Sequence, residues 1–228
     1  MYKDLSLLIP AKNEKLCIDK VFGELEKINY NSKILLVVDN LQDNTLDYSK
    51  KKFKFQIKKI ISRKKGYGSA VIKGISECKT KKVCIFNADG SFNPSSLKKM
   101  IKKSKSFDHV FCSRYLPGAG SDDDTFITYI GNKIFTYIGK IVFKMKLNDI
   151  LYSYYLSDVD KIRKLKLNKT DFTIALEVPL KIQNHKQTYC EIGSKERIRI
   201  GGKKKVREFI DGFKLLMFMF EFLFRNKK

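Results

Sequence analysis

Three apolar runs of the sequence end in polar residues whose side chains suit the binding of phosphate or metal ions. The run at 5–9 precedes Pro10, Ala11, Lys12, Asn13 and Glu14. The run at 34–38 precedes Asp39 and Asn40, and the run at 83–86 precedes Asn87, Ala88 and Asp89. A single Asp after a strand is more often a turn cap than a ligand. Three such ends in successive strands favour a ligand site, with simple capping as the alternative.

Alternating strands and helices must position these residues. Continuous apolar strands are predicted at 5–9, 34–38, 55–61, 83–86 and 110–112, and helices at 15–28, 69–76 and 94–104. This alternation is typical of an α/β fold with a mainly parallel sheet and helices on both faces. In such open sheets, ligands bind outside the carboxyl ends of the strands.

The pattern changes after residue 114. A loop at 118–124 is followed by an amphipathic helix at 127–141, a strand at 156–159, a helix at 172–182 and a strand at 188–192. A last helix, predicted at 206–224, is apolar nearly all round towards its end. Such a helix is either buried or lies in a membrane interface.

The charge of the chain indicates an anionic partner. The 228 residues include 47 Lys and Arg against 24 Asp and Glu, a formal net charge of +23. Phosphate ligands, nucleic acid and acidic membranes all attract such a protein. A general preference for Lys in the coding genome is an equally good explanation. No sequence pattern of a nucleic-acid-binding motif is found, so we do not expect a nucleic-acid partner.

Cysteine usage and hydropathy indicate a cytoplasmic protein, with peripheral association at the cytoplasmic face of a membrane as a further option. The five cysteines form no CxxC pair, and Cys17, Cys84 and Cys112 lie in or beside apolar runs. We therefore expect reduced, buried thiols. No signal peptide is recognised at residue 1, and no uncharged apolar run of about 20 residues predicts a transmembrane helix.

Five stretches within residues 5–115 carry a family resemblance: LIPAKNE, VVDNLQDNT, KGYGSAVIKGI, CIFNADGSFNP and CSRY. Their order and spacing resemble the family-2 glycosyltransferases of GT-A fold. LNDILYSYY, FTIALEVPLKI and ERIRIGGKKKV are similar to dolichyl-phosphate mannosyltransferase-like and other polyprenyl-phosphate glycosyltransferases. The resemblance implies a GT-A domain at 1–205, with a nucleotide-sugar-binding half at 1–115 and an acceptor half at 116–205, before a C-terminal helix at 206–228.

The resemblance implies a binding site for the nucleotide part of a nucleotide-diphospho-sugar. The residues that match its motifs are Pro10, Ala11, Asn13 and Glu14 beside base and ribose, Asp39 on the base, Asp43 and Thr45 in the following loop, and Gly68 in a Gly-rich entry to a helix. Small residues let a backbone approach a nucleotide, and a helix N-terminus favours anions. Taken alone, the glycines fit a plain turn equally well.

Asn87, Ala88 and Asp89 match the family motif that binds a divalent cation on the donor diphosphate. Mg²⁺ and Mn²⁺ accept oxygen ligands and keep several positions for water or phosphate, so Asp89 could suffice with help from Asn87 and Ser91. Asn87 replaces a carboxylate, which predicts weaker metal binding. The alternative is that Asn87 only caps the turn and that metal is dispensable.

Two basic positions are expected on phosphates by the same resemblance. Arg114 follows the strand at 110–112 and is placed near the donor or acceptor phosphate. Arg199, with Gly202 and Lys205, matches a basic loop that would cover the diphosphate. Solvated charge is the alternative for this loop, because lysines are abundant throughout the chain.

Other polar residues in the second half receive weaker assignments. Asp149, preceded by Asn148, matches an Asp before a Gly-Phe pair that is missing here, and it is the candidate base for a hydroxyl acceptor. Glu177 lies within an apolar helix and needs a partner, for which Arg197 or Arg199 is expected. The acidic run 122–124 is expected to be a mobile solvated loop. His109 and His185 are expected to be structural.

We therefore predict an inverting transferase that moves a hexose from a UDP- or GDP-sugar to a polyprenyl phosphate at an anionic membrane face, with Mg²⁺ or Mn²⁺. A transferase for a glycan or another soluble acceptor, and a degenerate binder of nucleotide-sugars, are the alternatives. The sequence leaves the base, the sugar, the acceptor and the oligomeric state open.

Overall fold

The computed structural model describes residues 2–47, 53–201 and 207–225. Nine strands lie in this part of the chain: β1 Leu5–Pro10, β2 Lys33–Val38, β3 Gln56–Ile61, β4 Lys82–Ile85, β5 His109–Ser113, β6 Gly120–Ser121, β7 Tyr155–Asp158, β8 Tyr189–Gly193 and β9 Lys195–Glu196. Its seven α-helices are α1 Lys15–Lys27, α2 Tyr67–Glu77, α3 Ser96–Lys103, α4 Phe126–Phe143, α5 Val159–Lys164, α6 Ile174–Asn184 and α7 Glu208–Arg225.

Seven strands form one twisted α/β sheet in the order β3-β2-β1-β4-β7-β5-β8. All neighbours in it pair in parallel except β7, which runs antiparallel between β4 and β5. The short strands β6 and β9 pair separately. The mainly parallel α/β sheet is confirmed, and the antiparallel β7 is the feature that apolar periodicity could not predict, because a buried strand has the same composition in either direction.

The sheet is covered on both faces because successive side chains of each strand point to opposite sides. Leu7 and Ile9 of β1 pack in one hydrophobic cluster with residues of α1 and α3. Leu8, between them, packs in the other cluster with residues of α2, α5 and α6. This explains why the central strands are apolar without alternation.

The predicted strands and long helices are present to within a few residues. Sequence patterns missed the two-residue strands β6 and β9 and the short helix α5, whose lengths are below what periodicity can detect. The start predicted for the last helix, residue 206, lies outside the described residues, and α7 is described from Glu208. In the described ranges, no helix is both long and apolar enough to span a bilayer.

Candidate active site

The carboxyl ends of β1, β2 and β4 bring the predicted donor residues to one edge. The sheet order reverses between β1 and β4, since β1 lies between β2 and β4. Such a switch point leaves a crevice in which open α/β sheets bind ligands. Pro10–Glu14 follows β1, Asp39 follows β2, and Asn87–Asp89 follows β4. The structure therefore brings the three motifs of the first half together.

The turn after β1 is held by the loop after β2. The backbone N–H of Asn13 donates to Asp43 Oδ2 at 3.0 Å, and that of Glu14 donates to Thr45 Oγ1 at 2.8 Å. Asn13 has a positive φ of 56°, a conformation that a polar residue in a turn tolerates. Asp43 and Thr45 are buried. They therefore act on the shape of the turn.

Asp39 is partly covered by its neighbours. Its carboxylate lies 3.6 Å from Lys12 Nζ and accepts a hydrogen bond from Asn40 Nδ2 at 2.7 Å. Both partners have substantial exposure to solvent and can exchange for a ligand at little cost. Asn40 therefore orients the Asp39 carboxylate, and a ligand of Asp39 would lie beside Asn40.

Gly68 packs against protein backbone. A Cβ atom at Gly68 would collide with the carbonyl oxygen of Lys169, and one at Gly66 with that of Thr170. The N–H of Ser69 at the start of α2 also donates to Thr170 O at 3.0 Å. The predicted close approach of a nucleotide to Gly68 is therefore corrected: the backbone that approaches this glycine is the loop before α6.

The metal motif forms a compact turn after β4. Asp89 Oδ1 accepts hydrogen bonds from the N–H of Ser91 at 3.0 Å and from its hydroxyl at 2.8 Å. Asn87 Nδ2 donates to Ser91 Oγ at 3.5 Å. Ser91 therefore orients Asp89. Among the described residues, neither Asp89 Oδ2 nor the Asn87 amide oxygen accepts a hydrogen bond, so these two oxygens are left to bind a cation.

These two oxygens fit a divalent cation whose remaining ligands are mostly water and phosphate oxygens. One carboxylate and one amide oxygen are hard ligands of the kind that Mg²⁺ and Mn²⁺ prefer. The described residues contain no group of three or more His, Cys, Asp or Glu side chains arranged to hold a metal. A cation at Asp89 would therefore depend on a phosphate ligand for much of its coordination.

Arg199 lies beside this turn. Its guanidinium makes a bidentate contact with Asp123, with Nη2 donating to Oδ2 at 2.7 Å, and its Nη1 is 4.0 Å from Asp89 Oδ2. The hydrogen bonds that Arg199 donates to Asp123 raise the pKa of Arg199. A cation thus faces the free oxygen of Asp89. Gly202 and Lys205, the other predicted members of this basic loop, lie outside the described residues.

Arg114 is enclosed by three carboxylates. Its Nε and Nη2 donate to the two oxygens of Asp149 at 2.7 and 2.9 Å, and its Nη1 donates to Asp124 and Glu196 at 3.1 and 3.3 Å. Burial disfavours the charged guanidinium, but the charge of Asp149 outweighs this and raises the pKa of Arg114. Only 8% of the side chain is exposed. The predicted role of Arg114 on a phosphate is corrected, because its donors are occupied.

Asp149 is the anchor of this group. It is fully buried, and its Oδ2 also accepts from the backbone N–H of Arg114 at 3.0 Å. Glu191 holds the chain before it by accepting from the N–H groups of Asn148 and Asp149 at 2.8 and 3.0 Å. A carboxylate so placed cannot take a proton from an acceptor in solvent. The predicted base role of Asp149 is therefore corrected to a structural one.

Two further expectations were wrong. The acidic run 122–124 is not a solvated loop: Asp122 pairs with Lys195, Asp123 with Arg199 and Asp124 with Arg114. Glu177 pairs with neither Arg197 nor Arg199. It contacts Lys181 at 2.7 Å and accepts from the N–H of Lys169 at 2.9 Å, which orders the loop before α6. The structural roles of His109, bonded to Ser157 and Gln187, and of the buried reduced cysteines are confirmed.

Three buried hydroxyl groups make no well-formed hydrogen bond among the described residues. They belong to Tyr67, Tyr152 and Ser153. Burial raises the pKa of Tyr67, the Ser153 hydroxyl lowers it and the charge of Asp89 raises it, so these groups are neighbours. Buried hydroxyls are normally paired with protein, water or ligand. Tyr152 and Ser153 follow Asp149 at the place where the family has a Gly-Phe pair. The absence of that pair is the sequence feature that marks these two residues.

Helices α4 and α7 pack together through Phe143 and Phe222, whose ring centroids are 5.9 Å apart. Each helix carries an exposed apolar stripe, and we call the two stripes the apolar face. Its members are Phe126, Ile127, Ile130, Ile134, Tyr137 and Ile141 on α4 and Phe209, Ile210, Phe213, Met217, Phe220 and Phe224 on α7. Exposed Lys133, Lys140 and Lys214 lie on the same helices. So large an exposed apolar surface is unusual in a soluble monomer.

The sheet order, the antiparallel β7 and the acidic motif after β4 define a GT-A fold. The chain belongs to glycosyl transferase family 2, whose sequence pattern matches residues 6–164. It is 25% identical over 211 residues to the dolichol-phosphate mannosyltransferase of Pyrococcus furiosus, an alignment covering 89% of this chain and 59% of that protein. It is 28% identical over 131 residues to the dolichol-phosphate mannosyltransferase of Saccharomyces cerevisiae, covering 53% and 48% of the two chains.

Solved structures support the same fold. Glucosyl-3-phosphoglycerate synthase from Mycobacterium tuberculosis, in complex with Mg²⁺ and UDP, aligns with a TM-score of 0.69 over 97% of this chain and 79% of that chain at 10% identity. Its complex with Mn²⁺, UDP and glucosyl-3-phosphoglycerate aligns with a TM-score of 0.68, covering 97% and 80% of the two chains. The chain thus spans about half to three-fifths of the curated relatives and most of the solved structures.

Proposed function

We propose that this protein transfers a hexose, with inversion, from a nucleotide-diphospho-sugar to a polyprenyl phosphate at an anionic membrane face. The observation that carries the proposal is the placement of Asp89 at the switch point with Arg199 4.0 Å away. A carboxylate facing an arginine at the carboxyl edge of a parallel sheet suits a bound diphosphate. The UDP complexes of the similar solved structures agree with this donor class.

The donor is assigned to the crevice between the ends of β1 and β4. Pro10, Ala11, Asn13 and Glu14 would border its base and ribose, and Asp39 would accept hydrogen bonds from the base. Asn87, Asp89 and Ser91 would hold Mg²⁺ or Mn²⁺, which supplies positive charge to the leaving diphosphate. The buried hydroxyls of Tyr67 and Ser153, which form no well-formed hydrogen bond among the described residues, can both donate and accept, as the recognition of sugar hydroxyls requires.

The chemistry then needs little from a protein base. An oxygen of the acceptor phosphate forms the new bond to the anomeric carbon while the bond from that carbon to the donor diphosphate breaks. A phosphate is already anionic near neutral pH and needs positioning alone. Arg199, after leaving Asp123, would stabilise the charge that develops on the nucleoside diphosphate. The enclosed position of Asp149 agrees with a reaction that uses no carboxylate base.

The apolar face supports a lipid acceptor. Its side chains are exposed over both α4 and α7, and the exposed lysines of these helices would meet anionic headgroups. The net charge of +23 adds attraction over a longer range. The relatives named dolichol-phosphate mannosyltransferase agree with an acceptor of this class.

The test is transfer of radiolabelled sugar from a panel of UDP- and GDP-sugars, with Mn²⁺, to polyprenyl phosphate in vesicles containing anionic lipid. Label should enter the lipid-extractable fraction from one donor. Phe213→Asp should reduce this transfer while sparing transfer to a short, water-soluble prenyl phosphate, and Lys20→Gln, an exposed charge change on α1, serves as the control. No lipid product from any donor contradicts the proposal.

A transferase for a hydroxyl acceptor is the second candidate. Asp123, Asp124 and Glu196 surround Arg114 and Arg199, and their negative charge would oppose a phosphate acceptor that approached these arginines. Burial raises the pKa of Glu196, although the charge of Arg114 works against this. The same donor panel with soluble glycans distinguishes this candidate. Donor binding without any transfer or hydrolysis would instead indicate a degenerate binding protein.

A further inference from the structure

Four consecutive carbonyl groups of the metal-motif turn accept hydrogen bonds from one short segment. The N–H of Ile200 donates to Asp89 O at 2.8 Å, and the N–H of Arg197 donates to Ser91 O at 2.9 Å. The Arg197 guanidinium donates to Gly90 O at 2.7 Å and to Phe92 O at 2.9 Å. Arg197 alone thus satisfies three of the four carbonyls.

The same guanidinium is anchored on α1. Its Nη1 and Nη2 donate to the two oxygens of Glu24 at 3.1 and 2.8 Å. Glu24 belongs to the helix that begins directly after Pro10–Glu14. One side chain therefore links the helix after β1, the turn after β4 and the basic segment that carries Arg199.

The backbone geometry of the turn from 89 to 92 depends on its contacts with the segment that contains Arg197. Gly90 has a positive φ of 79°, and a Cβ atom there would collide with Ile200. The Asp89 carboxylate is oriented by Ser91, so its direction depends on the path of the backbone from 89 to 92. Leaving two carbonyls unpaired at a part-buried site would favour other backbone paths.

We propose that Arg197 is a positioning residue that fixes the turn carrying Asp89, with Glu24 as its anchor, so that the free Asp89 oxygen faces the cation and diphosphate of the donor. This inference rests on the proposed function, because it presupposes a cation-bound donor at Asp89. The contacts of the Arg197 guanidinium in the described structure are with Glu24 and with the carbonyls of the turn. Arg197 therefore acts through Asp89 and is distinct from Arg199, which lies two residues further and faces Asp89 directly.

An arginine suits this set of acceptors better than a lysine does. Nη2 lies 2.7–2.9 Å from Gly90 O, Phe92 O and one oxygen of Glu24, which share its two N–H groups, while Nη1 donates to the other oxygen of Glu24. A lysine has one charged nitrogen and can satisfy only part of this set. Arg197→Lys should therefore be intermediate between the natural protein and Arg197→Gln, and Glu24→Gln should resemble Arg197→Lys, since it keeps the contacts to the carbonyls.

The test is calorimetric binding of UDP and GDP to the full chain, each measured with Mn²⁺ and with EDTA. Arg197→Gln should lower the Mn²⁺-dependent affinity about tenfold, the loss of about 1.4 kcal/mol, and leave the affinity in EDTA unchanged. Arg197→Lys should recover part of the loss. Lys20→Gln removes a positive charge from α1 and should change neither affinity.

The outcomes separate this inference from the proposed function. Equal losses with Mn²⁺ and with EDTA, or a fall in melting temperature with unchanged binding, would make Arg197 a merely structural residue and overturn the inference alone. Binding of neither nucleotide by the folded natural protein would overturn the proposed function as well. Nucleotide binding that is indifferent to Mn²⁺ would overturn the positioning of Asp89 for a cation and leave nucleotide recognition standing.

Discussion

The two arginines that sequence motifs assign to phosphates lie in opposite kinds of environment. Arg114 is buried with 8% of its side chain exposed, and three carboxylates occupy its donors. Arg199 is 22% exposed and, in the part of the chain that the structure describes, has one close partner, Asp123, with Asp89 4.0 Å away. Arg114 could bind a phosphate only by breaking buried ion pairs, whereas Arg199 would exchange one partly solvated pair for another.

The two environments determine which arginine is available to bind a ligand. A buried charge that loses its partner costs several kilocalories per mole, and a solvated pair costs little to break. Arg114 therefore holds β5, the loop before α4 and the chain before β7 together. Arg199 is the arginine that we propose for the diphosphate. Four predictions test this contrast.

The largest effect is expected from Asp149→Asn. This change leaves Arg114 buried without its bidentate partner, and we expect the free energy of unfolding to fall by about 3–5 kcal/mol. Asp123→Asn is the matched control at Arg199 and should cost about 1 kcal/mol or less. Urea denaturation of both variants measures the difference. Equal losses in the two variants would contradict the contrast between the regions.

Asp89→Ala should remove the effect of Mn²⁺ on donor binding. The carboxylate is the one charged protein ligand that the described part of the turn offers a cation, so its loss leaves the nucleotide contacts alone. Calorimetry with a UDP- or GDP-sugar, with Mn²⁺ and with EDTA, gives the comparison. Asp160→Asn, an exposed site on α5, controls for lost negative charge, and a persistent Mn²⁺ effect in Asp89→Ala would place the cation elsewhere.

Arg199→Gln should weaken nucleoside diphosphate binding about tenfold or more, because a hydrogen bond from a charged group contributes about 1.5–3 kcal/mol. Its melting temperature should stay close to that of the natural protein, since its ion pair is partly solvated. Titration with UDP and GDP and a thermal melt give the two readouts. Unchanged affinity together with lost stability would assign Arg199 the structural role that we give to Arg114.

The smallest effect is expected from Asn87→Asp. A second carboxylate at the turn should tighten Mn²⁺-dependent donor binding about tenfold or less, since ligand charge sets cation affinity. Stability should barely change because Asn87 makes one long hydrogen bond, to Ser91. Calorimetry at several Mn²⁺ concentrations measures the shift. If neither Asn87→Asp nor Asp89→Ala alters metal dependence, the metal assignment of this turn is wrong.

Local sequence patterns were enough to predict the sheet and the edge at which its polar strand ends meet. The strands before Pro10, Asp39 and Asn87 are apolar runs with clear ends, and parallel strands carry those ends to the same side. The antiparallel β7 and the pairing of β6 with β9 depend on contacts between distant segments. No periodicity within a segment encodes them.

The roles of charged residues could not be predicted from motifs. Asp149 and Arg114 match family positions, but their function follows from Asp124 and Glu196, which lie far apart in sequence and meet only in the fold. Glu177 was expected to pair with a distant arginine, and a lysine four residues away on the same helix face serves instead. The contact between Arg197 and Glu24 could not be predicted from the sequence either, because the two residues are 173 positions apart.

The most direct test of the account is donor binding by the natural protein. A panel of UDP- and GDP-sugars is titrated into the full chain by calorimetry, first with Mn²⁺ and then with EDTA. We predict that one nucleotide-sugar binds and that Mn²⁺ strengthens its binding, since Asp89 and Arg199 meet at the edge where the donor is assigned. Failure of every donor to bind the folded protein, with or without Mn²⁺, would contradict the account.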